Sequence, residues 1–149
     1  MNLFLDTNAV VKLYHDELGT ENLLKLLNSH SDNLIITISD LTIIEFHSTF
    51  LRRVRTTEID LPLVNKIFKD FDADITMFNV IEVNLAVKDL AIKLLDFIAS
   101  KKGLRTLDAI QLSVAIFSHQ FFPINYFVGS DKKLLNVTKE YFAIFNPEL

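Results

Sequence analysis

The chain has 149 residues, half of them hydrophobic and 23% charged, with a formal net charge of −4. That length suits one domain, 1–149, with a sizeable core, and the balance excludes a disordered chain and a broad, non-specific nucleic-acid binder. The absence of Cys excludes disulfides, thiolate zinc sites and a cysteine nucleophile, and it fits a reducing compartment.

Leu3 to Leu5 reads as a short buried strand. A helical stretch follows from about Ala9, with Val10, Val11, Leu13 and Tyr14, and breaks near Gly19. Leu23, Leu24, Leu26 and Leu27 give a second helical face. Leu34 to Ile38 is rich in β-branched residues and predicts strand two. Ser39 or Asp40 caps the next helix, which runs through Glu45 toward Arg55. Asp60-Leu61-Pro62 opens another helix, with the acid at the cap and Pro in the first turn. Phe78 to Val83 is strand three. Asn84 caps a helix that passes Leu95 and Ile98 and stops at Lys101-Lys102-Gly103, the charge and glycine expected of a C-terminus. Thr106 is the expected cap of a strongly apolar helix, Leu107 to Phe117. Tyr126 to Val128 is strand four and Tyr141 to Phe145 strand five. Strands alternating with helices imply an α/β domain with a mainly parallel central sheet flanked by helices. No apolar run approaches the roughly 18 residues of a membrane span. Met1-Asn2-Leu3-Phe4-Leu5 lacks the basic start of a signal peptide, so the expected location is cytoplasmic, with no membrane partner.

Four acids carry the chemistry. Asp6 and Asp131 directly follow strands one and four, Asp108 opens the apolar helix, and Glu45 lies near the start of another. Parallel sheets bind ligands outside the carboxyl ends of their strands, so a single crevice at one sheet edge is expected to collect all four. Carboxylates brought that close repel and raise each other's pKa. A divalent cation resolves the conflict, and oxygen-only donors select a hard one such as Mg²⁺ or Mn²⁺. Each acid has a plainer reading when taken alone. Asp6 and Asp131 would cap helices or turns, Asp108 would favour a helix dipole, and Glu45 would be a solvated helix residue. His15, His30, His47 and His119 show no metal-ligand spacing, and no Gly-rich phosphate loop or nucleophile elbow is present.

Taken in order, the local motifs narrow the choice. Leu5-Asp6-Thr7-Asn8-Ala9-Val10-Val11-Lys12-Leu13-Tyr14, Ser39-Asp40-Leu41-Thr42-Ile43-Ile44-Glu45-Phe46, Leu104-Arg105-Thr106-Leu107-Asp108-Ala109-Ile110-Gln111-Leu112 and Phe127-Val128-Gly129-Ser130-Asp131-Lys132-Lys133-Leu134 together resemble the PIN-domain nucleases. The nearest likeness is to the VapC-like toxins of prokaryotic toxin–antitoxin pairs. Members often have Ser or Ala where this chain has Asn8.

The resemblance implies a PIN-like fold and Mg²⁺- or Mn²⁺-dependent endoribonuclease activity. It also implies a homodimer, held in check by a cognate antitoxin. A metal held by Asp6, Asp108 and Asp131 would activate water, with Glu45 binding a second ion or orienting that water. Thr7, Asn8 and Ser130 would support the acids or position phosphate. Arg105, three residues from Asp108, is the first choice among the basic residues Arg52, Arg53, Arg55, Lys101, Lys102, Arg105, Lys132 and Lys133 for holding RNA phosphates. The helices after Ala9 and Asp60 are the expected contact surfaces. Two rivals stand beside this reading. A haloacid-dehalogenase-type phosphatase would use the aspartate after strand one, but wants a second aspartate where Asn8 stands. The other rival is a non-catalytic PIN-like binding module.

Overall fold

The computed structural model describes residues 1–149. Five parallel strands form one sheet: β1 Asn2–Leu5, β2 Ile35–Ser39, β3 Asn79–Ile81, β4 Tyr126–Val128 and β5 Ile144–Phe145, in the order β3-β2-β1-β4-β5. The chain winds outward from β1 through β2 to β3, then returns to the other side of β1. The topological switch point is therefore the β1/β4 seam, in register from Leu3↔Tyr126 to Leu5↔Val128. The helices are α1 Thr7–Lys12, α2 Thr20–Asn28, α3 Asp40–Arg55, α4 Leu61–Asp74, α5 Leu85–Leu94, α6 Ser100–Lys102, α7 Thr106–His119 and α8 Lys132–Thr138. A π-helical turn, Leu95–Ala99, joins α5 to α6. No helix is long and apolar enough to cross a membrane.

Alternation along β1 divides the core. Phe4 faces one side, stacks on Phe127 at 5.2 Å and packs with Val87, Leu112 and Leu134 of α5, α7 and α8. Leu3 and Leu5 face the other side, with Val10 of α1, Phe46 and Phe50 of α3 and Phe71 of α4. Leu3, Phe4 and Leu5 are fully buried, as a strand covered on both faces requires. Phenylalanines are prominent in the half of the core around Leu3 and Leu5: Phe46 stacks on Phe71 with centroids 4.0 Å apart.

Local rules set most boundaries, and tertiary contacts moved several. Ser39 caps α3 by accepting from the Leu41 N–H at 3.1 Å, while Asp40 accepts from the Val83 N–H at 3.1 Å and ties the helix to the end of β3. Asp60 and Asn84 cap α4 and α5 as expected. Thr106 is not the cap of α7. Arg105 holds that position in extended conformation, and its side chain makes no cap bond. The first helix starts at Thr7, earlier than expected, and Tyr14 lies beyond its end. Strand five is reduced to Ile144–Phe145. Of the apolar stretch from Ala9, Ala9, Val10 and Val11 are buried in the core and only Leu13 and Tyr14 are partly exposed. Leu61 and Leu63 of α4 are about half exposed. Gly19, the residue before α2, has φ 91°, and a Cβ there would lie 2.9 Å from the Pro147 backbone. Only glycine satisfies both demands.

Candidate active site

At the β1/β4 seam the two strands release their acids side by side. The Asp6 N–H donates to the Val128 carbonyl at 3.0 Å, extending the ladder one residue. Asp6 Oδ1 then caps α1, accepting from the N–H groups of Asn8 at 2.7 Å and Ala9 at 3.4 Å. Its Oδ2 accepts from Asn8 Nδ2 at 3.3 Å. The other end of the same Asn8 amide accepts from the Ser130 N–H at 3.0 Å. Asn8 thus stitches the loop after β1 to the loop after β4. Gly129 lies against Asp6, and a Cβ on it would be 2.9 Å from Oδ2, so the carboxylate fills the room a side chain would need. Asp131 caps α8 through Oδ1, accepting from Lys133 N at 2.8 Å and Leu134 N at 3.0 Å. The capping roles read for Asp6 and Asp131 alone are therefore real. They coexist with the site.

Glu45 is not a solvated helix residue. It is half-buried, and its Oε1 accepts from Thr7 Oγ1 and from Gln111 Nε2, each at 2.8 Å. Gln111 Nε2 also stands 3.0 Å from Thr42 Oγ1 and 3.2 Å from Thr7 Oγ1. Two amide hydrogens thus serve three oxygens, while Gln111 Oε1 is buried without a partner. Turning the amide over would set Oε1 against the Glu45 carboxylate, so the charge of Glu45 fixes the orientation. Sequence reasoning missed Gln111 and Thr42. The available signal was a pair of buried polar residues on otherwise apolar helix faces.

Asp108 lies in the first turn of α7, where the dipole favours it. Its Oδ2 accepts from Arg105 Nε at 3.1 Å, and Arg105 Nη2 reaches Asp131 Oδ2 at 3.1 Å. One cavity of about 640 Å³ is lined by Asp6, Glu45, Asp108 and Asp131, with Thr7, Asn8, Gln111, Arg52, Arg53 and Arg105 among the others. The expected convergence of the four acids is thus observed, at the centre of the sheet's carboxyl edge. Ser130 reaches the site through its backbone N–H, and its hydroxyl is buried and does not line the cavity. Arg55, Lys101, Lys102, Lys132, Lys133 and the four histidines lie outside it.

Burial pushes the Asp6 carboxyl up to about 7. The N–H groups of Asn8 and Ala9 oppose this, and the charges of Glu45 and Asp108 add to it. Arg105 is held above the ordinary guanidinium value by its hydrogen bond to Asp108, with the charges of Asp108 and Asp131 assisting. As the side chains stand, no three His, Cys, Asp or Glu groups form a ligand cluster. The donor chemistry nonetheless fits a hard divalent ion. The donors are all oxygens, the acids outnumber the cations touching them, and the buried Asp6 is destabilised in its charged form.

A second charged group borders the same cavity. Lys12 is 3% exposed and bonds Glu17 at 2.8 Å and Glu148 at 2.9 Å, while Arg53 bonds the other oxygen of Glu17 at 2.7 Å. Burial alone would lower Lys12, but its bonds to Glu148 and Glu17 raise it. Burial would raise Glu17, yet Lys12 and Arg53 hold it below the usual range, and Lys12 likewise lowers Glu148.

The family model for the PIN domain matches residues 3–120. Comparison with curated protein sequences finds no match. Among solved structures, the chain is similar to VapBC2 from Rickettsia felis bound to a promoter DNA fragment, at 16% identity over 98% of each chain and a TM-score of 0.69. It is similar to FitAcB from Neisseria gonorrhoeae, at 15% identity over 97% of each chain and a TM-score of 0.71. A third is VapC20 from Mycobacterium tuberculosis, described as a sarcin-ricin loop cleaving toxin. It shares 16% identity over 91% of this chain and 94% of its own, with a TM-score of 0.66. At such identities the likeness establishes the fold.

Proposed function

The chain belongs to the PIN-domain family, and from that premise we propose that it is a divalent-metal-dependent endoribonuclease, the toxin of a toxin–antitoxin pair. The observation that carries this reading is the set of four carboxylates on one cavity at the β1/β4 switch point. Asp6, Asp108 and Asp131, with Glu45, would hold Mg²⁺ or Mn²⁺. The chemistry such an ion supplies when bound is a polarised phosphoryl oxygen and a more acidic water. The chain's own groups do the rest. Glu45, tied through Oε1 to Thr7 and Gln111, presents its other oxygen to orient the attacking water and take its proton. Arg52 and Arg105, both on the cavity wall, meet the RNA phosphates. Asn8 holds the two acid-bearing loops at fixed spacing.

The partner reading rests on the same likeness, since several similar structures are toxin–antitoxin complexes. An antitoxin and a second copy of the chain are therefore the proposed partners, with the exposed Leu61 and Leu63 of α4 available for contact. We place its action on RNA in the cytoplasm. The phosphatase alternative loses support, because Asn8 occupies the position of its second aspartate and is already engaged as a structural bridge.

The test is cleavage of a mixed RNA by protein stripped of metal. Activity should be absent in EDTA, return with Mg²⁺ or Mn²⁺, and drop by roughly 10²-fold or more in Asp108→Asn, the scale of a lost several-kcal/mol electrostatic contribution. Undiminished cleavage in EDTA would refute the reading. So would full activity in Asp108→Asn.

A further inference from the structure

Resting on the nuclease reading above, we infer that Arg105 is a stand-in cation. It neutralises Asp108 and Asp131 while the site lacks a metal ion, is displaced from them when the ion binds, and then grips the RNA backbone. The argument starts from the oxygens. Oδ1 of Asp131 is committed to the cap of α8, so Oδ2 is its one oxygen left for a ligand, and Arg105 Nη2 sits on that atom. Arg105 Nε takes Oδ2 of Asp108, whose other oxygen is engaged in no cap. The guanidinium and a divalent ion therefore compete for Asp131 Oδ2 and for the negative charge of Asp108, and their like charges disfavour sharing them.

Arg105 is built to let go. Its side chain is 70% exposed, and both contacts are 3.1 Å, long for charge-assisted bonds. Each carboxylate receives a single nitrogen, without the fork-on-fork pairing that makes Arg contacts strong. Arg53 shows the opposite design, 18% exposed and 2.7 Å from Glu17. The backbone under Arg105 is nevertheless anchored, because Leu104 before it is buried and α7 begins just after it. Once released, the guanidinium swings from a fixed base at the cavity wall, where a phosphate of bound RNA would meet it.

Two measurements on the full chain decide the matter, with thermal melts of the metal-free proteins confirming the fold. In the first, Mn²⁺ is titrated calorimetrically into the parent, Arg105→Gln and Arg52→Gln. Arg52 lines the same cavity but pairs with no acid, so it controls for the general loss of positive charge. Arg105→Gln should bind Mn²⁺ roughly 3- to 10-fold more tightly than the parent, the scale of two exposed ion pairs, and Arg52→Gln less than about 2-fold. In the second, a non-cleavable 2′-O-methyl RNA is bound across a salt series. With saturating Mn²⁺ the parent's log–log salt slope should exceed that of Arg105→Gln by roughly 0.7, one single-strand phosphate contact; in EDTA the slopes should coincide. Equal changes in Mn²⁺ affinity for the two variants overturn the inference, as do coincident slopes in Mn²⁺. Failure of the parent and both variants to bind Mn²⁺ overturns the metal-site reading itself.

Discussion

Two charged groups border one cavity, and they are built to opposite plans. Lys12, Glu17, Arg53 and Glu148 form a matched set of two cations and two anions, and every contact shortens to 2.7–2.9 Å. Burial opposes the charged forms of Lys12, Glu17 and Glu148, yet their partners outweigh that cost, and the two carboxyl groups end below their usual range. Asp6, Glu45, Asp108 and Asp131 are mismatched. One exposed arginine touches two of them, and Asp6 is driven up to about 7. A matched knot has used up its electrostatics in folding. The mismatched group retains an unmet demand for positive charge, which is what a cation site needs.

The contrast breaks most directly under pH. Asp6 has a folded pKa of about 7 against an ordinary value of 3.8. Below that window both folded and unfolded chains are protonated there. Rising through it, the unfolded chain ionises first, so metal-free stability should fall between about pH 4 and 7, by as much as a few kcal/mol. Asp6→Asn should remove that fall, since Asn keeps a capping oxygen without the charge. The knot predicts the reverse sign. Glu17 and Glu148 are lowered, so their contribution is present above the ordinary glutamate value and is lost as pH drops through their folded values. Metal-free melts across pH 3–8 on the parent and Asp6→Asn read both limbs. A parent curve that climbs from pH 4 to 7 would show that Asp6 is not a destabilised carboxyl.

Removing one partner sharpens the comparison. Lys12→Met leaves Glu17 with Arg53 alone and Glu148 with no cation, and should cost about 2–3 kcal/mol at neutral pH. The figure sits at the low end for a broken buried pair because both glutamates are about a quarter exposed or slightly more. The deficit should shrink on acidification as those glutamates protonate. Denaturant melts at two pH values test this, and a constant deficit would mean that Lys12 matters for packing and not for charge.

The smallest expected effect concerns the support behind the acids. Gln111→Leu removes one of the two donors that hold Glu45 Oε1 while filling similar space. Cleavage should slow about 10-fold, as for lost supporting contacts around a metal ligand, with most of the loss in kcat. Stability should change little, because the orphaned Oε1 goes as well. Parental kcat in a folded Gln111→Leu would show that Glu45 needs no positioning.

Much of this was legible in the chain. The order of strands and helices, the parallel sheet and the caps at Ser39, Asp60 and Asn84 follow from local patterns, because hydrophobic period and capping chemistry act over a few residues. The four acids were legible as a set through the motifs around them, and their convergence follows from where parallel strands end. What local patterns misjudged was decided by distant partners. Thr106 is the better intrinsic cap, yet Arg105 takes that position, with its side chain drawn to Asp108 and Asp131. Glu45 reads as solvated on a helical wheel, yet Thr7 and Gln111, far away in sequence, hold it half-buried.

The sequence by itself therefore determined the architecture and the identity of the charged groups. Only the tertiary structure decided which carboxylates are neutralised and which are left wanting. Lys12 lies six residues from Asp6, and nothing local says that it will turn away to Glu17 and Glu148. Charge pairing depends on distance and burial, and both arise when the sheet brings the chain's separated segments together.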